Sequence, residues 1–175
     1  MPEKIQTLIV HHSASMFGHA LEIDRWHRSP PRNWKMIGYH WVILNGYPIG
    51  GLTKPFDFLV GQIEVGRAID QDTVLEPDEI GAHAYGQNKN TLGVCLVGNG
   101  QFFDKQFFAL KYVEQWLRGK KMINEVKGHY EVEKLGYTEC PGIDMDKLRF
   151  FLSSDWSTAS RYLYSIEMQQ YIRKI

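Results

Sequence analysis

The chain reads as a single α/β domain, one β-sheet with helices packed against its faces. Two patterns and one bulk property predict this. Short apolar runs recur at Leu8–Val10, Ile37–Leu44 and Thr91–Val97, and stretches with helical spacing alternate with them. Such alternation is the mark of a layered α/β arrangement. A length of 175 residues, 43% of them hydrophobic, is enough for one real core and fits one domain.

Ile5–His12 reads as the first strand, and the unbroken run Leu8-Ile9-Val10 predicts burial on both faces. Ala20–His27 reads as a short helix carrying Leu21, Ile23 and Trp26. Ser29-Pro30-Pro31 ends it, because proline lacks the amide donor and disfavours a helical residue before it. Ile37–Leu44 is the second strand, and Asn45-Gly46 is a hairpin signal, since both positions tolerate positive φ. Residues 69–77 are polar loop, and 81–90 are rich in Gly and Asn, hence turns. Thr91–Val97 is a central strand. Asp104 serves as an N-cap, Phe107, Leu110, Val113 and Leu117 form a helical stripe widened by Trp116, and Gly119 suits the C′ position. That stripe is core packing. Ile123–His129 is a short strand and Asp144–Leu152 a helix. Ser153–Ile175 adds a helical segment with Trp156, Ala159, Leu163 and Ile166 on one face. The expected division is therefore a domain over 1–152 and an extension over 153–175. An amphipathic tail this short needs a surface. Docking on the domain is favoured over a dimer contact.

Twenty basic residues balance twenty acidic ones, so no overall field draws the chain to nucleic acid or to an anionic membrane. No run approaches the ~20 apolar residues of a membrane-spanning helix. The polar start Met1-Pro-Glu-Lys-Ile-Gln is not a secretory signal, which predicts synthesis as a cytoplasmic protein. Of the two cysteines, Cys95 lies in an apolar strand and reads as core, although pairing with Cys140 is open to a secreted chain.

The chemistry-bearing stretch is Gly128–Asp144, where His129 and Cys140 precede Pro-Gly. An imidazole and a thiolate are natural zinc donors. Two ligands do not hold a catalytic ion, and the first strand ends in His11-His12. Side chains alternate along a strand, so only one of that pair faces a given site.

These motifs together resemble the zinc-dependent N-acetylmuramoyl-L-alanine amidases of the bacteriophage lysozyme and peptidoglycan recognition protein type. The resemblance rests on VHHSAS, IGYHWVI, Gly66-Arg67, GAHAYGQNKNTLGVCLVGN and GHYEV followed by TECPG, in that order over about residues 8–148. It implies a central mixed sheet flanked by helices, with one zinc per chain in a surface groove. His11, His129 and Cys140 would be the ligands, leaving a fourth position open as in catalytic sites. Tyr39 matches the catalytic tyrosine. Thr138 stands where phage enzymes carry lysine and recognition-protein amidases often carry threonine, and is expected to be an auxiliary donor. His83 matches a groove residue expected to contact substrate, with Arg67, Asn88 and Asn90 in adjoining motifs reading either as substrate contacts or as loop braces. Tyr39, Glu131 and Glu139 are the candidates to protonate the leaving amine. Pro48–Gly61 reads as an insertion relative to the family, packing on a groove wall through Phe56, Phe58 and Leu59.

The implied activity is hydrolysis of the amide between N-acetylmuramic acid and L-alanine of peptidoglycan or a muropeptide. The protein would be a monomer, with a dimer through the C-terminal helix as the alternative, and would reach the wall after release if it is a phage lysin. Competing readings are a non-catalytic peptidoglycan-binding module of the same fold, against which Cys140 argues, and a disulfide-stapled domain without metal.

Overall fold

The computed structural model describes residues 4–70 and 72–173. The outer ends of the two expected regions, residues 1–3 and 174–175, lie outside them, as does Gln71 in the expected loop. Five strands form one sheet: β1 (Thr7–His12), β2 (Trp41–Asn45), β3 (Val60–Val65), β4 (Thr91–Leu96) and β5 (Glu125–Gly128). Their spatial order is β3-β2-β4-β1-β5. β1 runs parallel to both β4 and β5, and β2 runs parallel to β4 but antiparallel to β3, so the sheet is mixed.

Alternation along the strands builds two cores. Leu8 and Val10 of β1, Ile43 of β2, and Leu92, Val94 and Leu96 of β4 face the larger one. The helix α2 (Asp104–Gly119) covers it through the predicted stripe Phe107, Leu110, Val113 and Leu117. So does α3 (Met145–Ser153), whose N-cap Asp144 accepts from the amides of Asp146 and Lys147. The opposite face is thinner. There α1 (Ala20–Arg28) lays Ile23 against Val42, Leu44, Cys95 and Val97. His11 belongs to this second face, in register with Cys95 of β4.

Several local expectations change. The second strand begins at Trp41 rather than Ile37 because Gly38 bonds outside the sheet: its amide donates to His27 Nδ1 of α1 and its carbonyl accepts from the Ala82 amide. Asn45-Gly46 does not close a two-residue hairpin. Gly46 has φ +82°, but the Asn45 side chain is committed to Met16 and Tyr47, and the chain returns only at Val60. Within that connection Leu59 packs on the smaller core, whereas Phe56 and Phe58 stay exposed, so the segment does not pack as an aromatic wall. At α2 the N-cap is Phe103, not Asp104, and its amide donates to Gln106 Oε1 at 3.0 Å. Gly119 is the last helical residue, and Lys121 takes the left-handed conformation instead.

After α3 come α4 (Trp156–Leu163) and α5 (Ile166–Gln169), whose Ala159, Leu163 and Met168 are buried in the larger core. Phe102 and Tyr171 hold this tail by backbone hydrogen bonds. The buried Lys111 joins α2 to the end of α3, donating from Nζ to the carbonyls of Phe151, Leu152 and Ser154.

Candidate metal centre

Register explains why His11 and His129 meet. β1 and β5 are parallel neighbours with Val10 opposite Gly128, so His11, still within β1, lies beside His129, the first residue past the end of β5. The two imidazole centroids lie 4.5 Å apart. The loop after His129 then folds back, and the Tyr130 amide donates to the Cys140 carbonyl at 2.8 Å. Gly142 permits this return: it has φ +74°, and a Cβ there would come within 2.9 Å of Gly100 Cα. The potential ligand atoms of His11, His129 and Cys140 all lie within 4.8 Å of one another. Cys140 Sγ is 3.8 Å from His11 Nδ1. Both cysteines are free thiols, which corrects the disulfide alternative.

The surroundings fix which nitrogen each imidazole offers. His11 Nε2 is 3.1 Å from His83 Nδ1, and His129 Nε2 is 3.0 Å from Glu133 Oε2. In both rings Nε2 is occupied by a neighbour, which leaves Nδ1 free to face the cluster. Burial, followed by the charges of His83 and His129, holds His11 well below the ordinary imidazole range, so it is neutral. Burial also lowers His129, with Glu133 opposing the shift. The Cys140 thiol is pushed up to about 12 by burial, while the His12 amide, 3.2 Å from Sγ, favours the thiolate. A buried thiol with two neutral imidazoles is costly to ionise without a cation, and becomes a ligand set with one.

A tetrahedral ion bound at about 2.05 Å to nitrogen and about 2.3 Å to sulfur sets its N and S ligands roughly 3.6 Å apart. The observed 3.8 Å needs little adjustment. The donor set is therefore a possible His/His/Cys metal site, and its geometry fits the ion that such donors prefer.

Tyr39 stands over this cluster, its ring 5.1 Å from that of His11 and 5.3 Å from that of His27. Burial, then the neighbouring Cys95 and Cys140, raises its phenol well above the ordinary value, so it keeps its proton and can donate. Thr138 Oγ1 accepts from the Cys140 amide at 3.2 Å and so braces the ligand loop, keeping its own hydroxyl proton to give.

The three residues expected to contact substrate have partners within the protein. His83 is buried behind His11, with Nε2 unpaired among the described residues. Arg67 is buried and spends its guanidinium on the carbonyls of Ile37 and Asp78. Asn88 Oδ1 accepts from the amides of His83 and Ala84, fixing the loop that carries His83. Arg67 and Asn88 thus make the side-chain-to-backbone bonds of loop braces. Glu131 is also diverted, bound to Arg149 and to the Gly128 amide, so it is not placed to protonate a leaving amine. Glu139 accepts from the Tyr137 hydroxyl. Glu133 was not anticipated, although its place four residues after His129 on a tight turn was a usable signal.

Comparison with known proteins agrees with this geometry. The sequence profile of the N-acetylmuramoyl-L-alanine amidase family matches residues 1–143. The endolysin of Enterobacteria phage K11 is 30% identical over 134 residues, 72% of this chain and 71% of the relative. The endolysin of Escherichia phage T7 is 26% identical over 156 residues, 83% and 85% of the two chains. Among solved structures, the amidase LysC from Clostridium intestinale superposes with a TM-score of 0.65 at 24% identity, covering 87% of each chain. Drosophila PGRP-LB does so with a TM-score of 0.56 at 24% identity, covering 80% and 78%. At these identities the two superpositions speak for the fold alone, whereas the profile match spans most of the sequence. The chain belongs to the N-acetylmuramoyl-L-alanine amidase family.

Proposed function

We propose that the protein is a zinc-dependent peptidoglycan hydrolase with one ion per chain on His11, His129 and Cys140, acting on the amide between N-acetylmuramic acid and L-alanine. The observation that carries this is the convergence of three zinc-type donor atoms, from segments far apart in sequence, within 4.8 Å of one another. Three ligands leave one tetrahedral corner for water or substrate. A zinc ion bound by these three residues would supply Lewis-acid chemistry, polarising the amide carbonyl and lowering the pKa of a water nucleophile toward ~7.

The remaining work falls to the chain. Tyr39, protonated and poised over His11, donates to the oxygen that gains charge as the carbonyl becomes tetrahedral. His83 and Glu133 each hold the Nε2 of one ligand, which orients the ring and fixes its tautomer. His83 thus serves as a positioning residue. Thr138 secures the Cys140 loop and keeps a hydroxyl proton that it can donate. Its neutral donor stabilises an oxyanion less than a cation would, which places more of the stabilisation on Tyr39 and the metal.

The test is digestion of purified peptidoglycan with metal analysis in parallel. Stoichiometric zinc and new peptides beginning with L-alanine are expected. Cys140→Ser should lose both while keeping the fold. Active protein without stoichiometric metal, or wall that is retained but never cut, would refute the reading and favour a binding module.

A further inference from the structure

Two side chains of α1 are spent on the segment that carries Tyr39. β2 begins only at Trp41, so residues 37–39 lie outside the strand ladder. Their amides find partners on the helix instead. Asp24 Oδ1 accepts from the Ile37 amide at 2.7 Å, and His27 Nδ1 accepts from the Gly38 amide at 3.0 Å. Asp24 and His27 are three positions apart, so they share one face of α1. Consecutive amides are thus clamped by adjacent turns of one helix. The carbonyls of the same segment are tied elsewhere: Ile37 to the Arg67 guanidinium, Gly38 to the Ala82 amide and Tyr39 to the Arg67 amide.

The helix that makes this clamp is itself fixed. His19 at its N-cap makes no side-chain bond, but the Ala20 amide donates to Glu64 Oε2 of β3 at 2.7 Å. A carboxylate at that end also complements the helix dipole. Ile23 seats the helix on the smaller core. His27 is buried, and burial holds it at about 4, so its ring is neutral and one nitrogen keeps a lone pair. The Gly38 amide takes Nδ1, which leaves the proton on Nε2. The Tyr39 ring then lies between two imidazoles, 5.3 Å from His27 on α1 and 5.1 Å from the ligand His11.

We propose that His27, with Asp24 beside it, is a positioning residue for the reaction, holding the backbone at Gly38 so that Tyr39 stays over the ligand His11. This rests on the reading of Tyr39 as the donor to the oxygen that gains charge. What the clamp supplies is precision. A hydroxyl donor works only within hydrogen-bond reach of the place where that charge develops. The Tyr39 ring hangs from backbone outside the ladder, so a shift of Gly38 carries the hydroxyl with it. A misplacement of ~1 Å costs about 100-fold in rate. α1 thereby contributes to the chemistry through the backbone of another segment.

The test is a double-mutant cycle on a soluble muramoyl peptide, each variant assayed well below its own Tm. Tyr39→Phe should lower kcat about 100-fold. His27→Leu should lower kcat about 10- to 100-fold, with KM and zinc affinity like wild type. The double variant should be no slower than Tyr39→Phe alone, because the clamp has nothing left to position. His27→Asn, whose Oδ1 falls near the place of Nδ1 and accepts a hydrogen bond, should recover most of the lost kcat. A role in packing alone would act equally with or without the Tyr39 hydroxyl. Unchanged kcat in His27→Leu, full additivity in the cycle, or equally low kcat in the Leu and Asn variants would overturn the proposal. A second readout needs no hydrolysis. In NMR spectra of the protein as purified, nuclear Overhauser contacts between the Tyr39 and His11 rings should weaken in His27→Leu and persist in His27→Asn. If Tyr39→Phe cuts like wild type, the donor reading fails, and the ring contacts still decide the positioning: their survival in His27→Leu would overturn it.

Discussion

Gly93→Ala is a substitution of one methyl group that should reach the metal without touching a ligand. Gly93 lies in the middle of β4, on the face that carries the site. A Cβ built there falls 2.6 Å from His83 Cγ, 2.7 Å from Cδ2 and 2.9 Å from Nδ1. Carbon atoms in contact sit at about 3.5–4.0 Å, so something must move by roughly 1 Å. The strand is pinned between β1 and β2 by hydrogen bonds on both edges, which leaves the imidazole to yield. Its retreat is blocked as well, because a Cβ at Gly81 would already lie 2.5 Å from His83 Cδ2. A displacement of ~1 Å breaks the 3.1 Å bond to His11 Nε2. Overpacking of this kind costs about 1–3 kcal/mol, which lowers Tm by roughly 2–12 °C in a domain of this size. Loss of the His83 contact should weaken zinc binding about 10- to 100-fold. Thermal unfolding of metal-free protein reads the first effect, and competition with a chromophoric chelator reads the second. His83→Gln, which removes the ring without adding volume, should reproduce the affinity loss with a smaller fall in Tm. If Gly93→Ala lowers Tm while both variants bind zinc like wild type, His83 does not orient His11 and the reasoning fails.

The other expectations concern groups that the same fold encloses. Lys111→Met should remove three charge-assisted bonds and leave the end of α3 short of donors, costing roughly 2–3 kcal/mol in urea unfolding; an unchanged midpoint would show that water replaces the ammonium. His40 and His27 are each held at about 4, chiefly by burial, against ~6.5 in an unfolded chain. Their folded pKa values are depressed, so the neutral forms contribute full stability above pH ~6.5, and that stability falls as pH drops from ~6.5 toward ~4. The loss should be on the order of 3 kcal/mol for each, read as urea midpoints between pH 7.5 and 4.5, and His40→Gln should remove about half of the slope. Glu133→Gln, which keeps an acceptor oxygen but removes the charge beside His129, should weaken zinc binding about tenfold with the unfolding midpoint nearly unchanged; equal affinity would show that the carboxylate is incidental.

The architecture was legible where periodicity and burial agree. β1 and β4 read as buried strands because both faces of the sheet are covered at that depth, and the α2 stripe read as core because nothing but packing needs that spacing. The errors fall where local signals compete with distant partners. Asn45-Gly46 has the composition of a tight hairpin, yet Asn45 is more strongly engaged by Met16 and Tyr47 than by a turn. Gly38 breaks the expected strand because its amide is taken by a histidine eleven residues away in the sequence, which no pattern announces.

The site shows the same division. Residue type points to His129 and Cys140 and leaves His11 or His12 open; the family resemblance selects His11, and the three donor atoms do lie together. Which side of the groove each neighbouring residue occupies was not legible, because a motif records proximity along the chain and not depth. His83, Arg67 and Asn88 sit in motifs beside the groove, but their bonds point inward: Asn88 fixes the His83 loop, and His83 bonds the ligand His11. Arg67 closes the loops behind Ile37. Gly81 and Gly93 belong to the same construction, since each leaves the space that the His83 ring fills. The glycine-rich stretch from Gly81 to Gly93 is therefore better understood as a seat for one imidazole than as a flexible binding loop. Metal affinity should then respond to substitutions there that never approach the substrate.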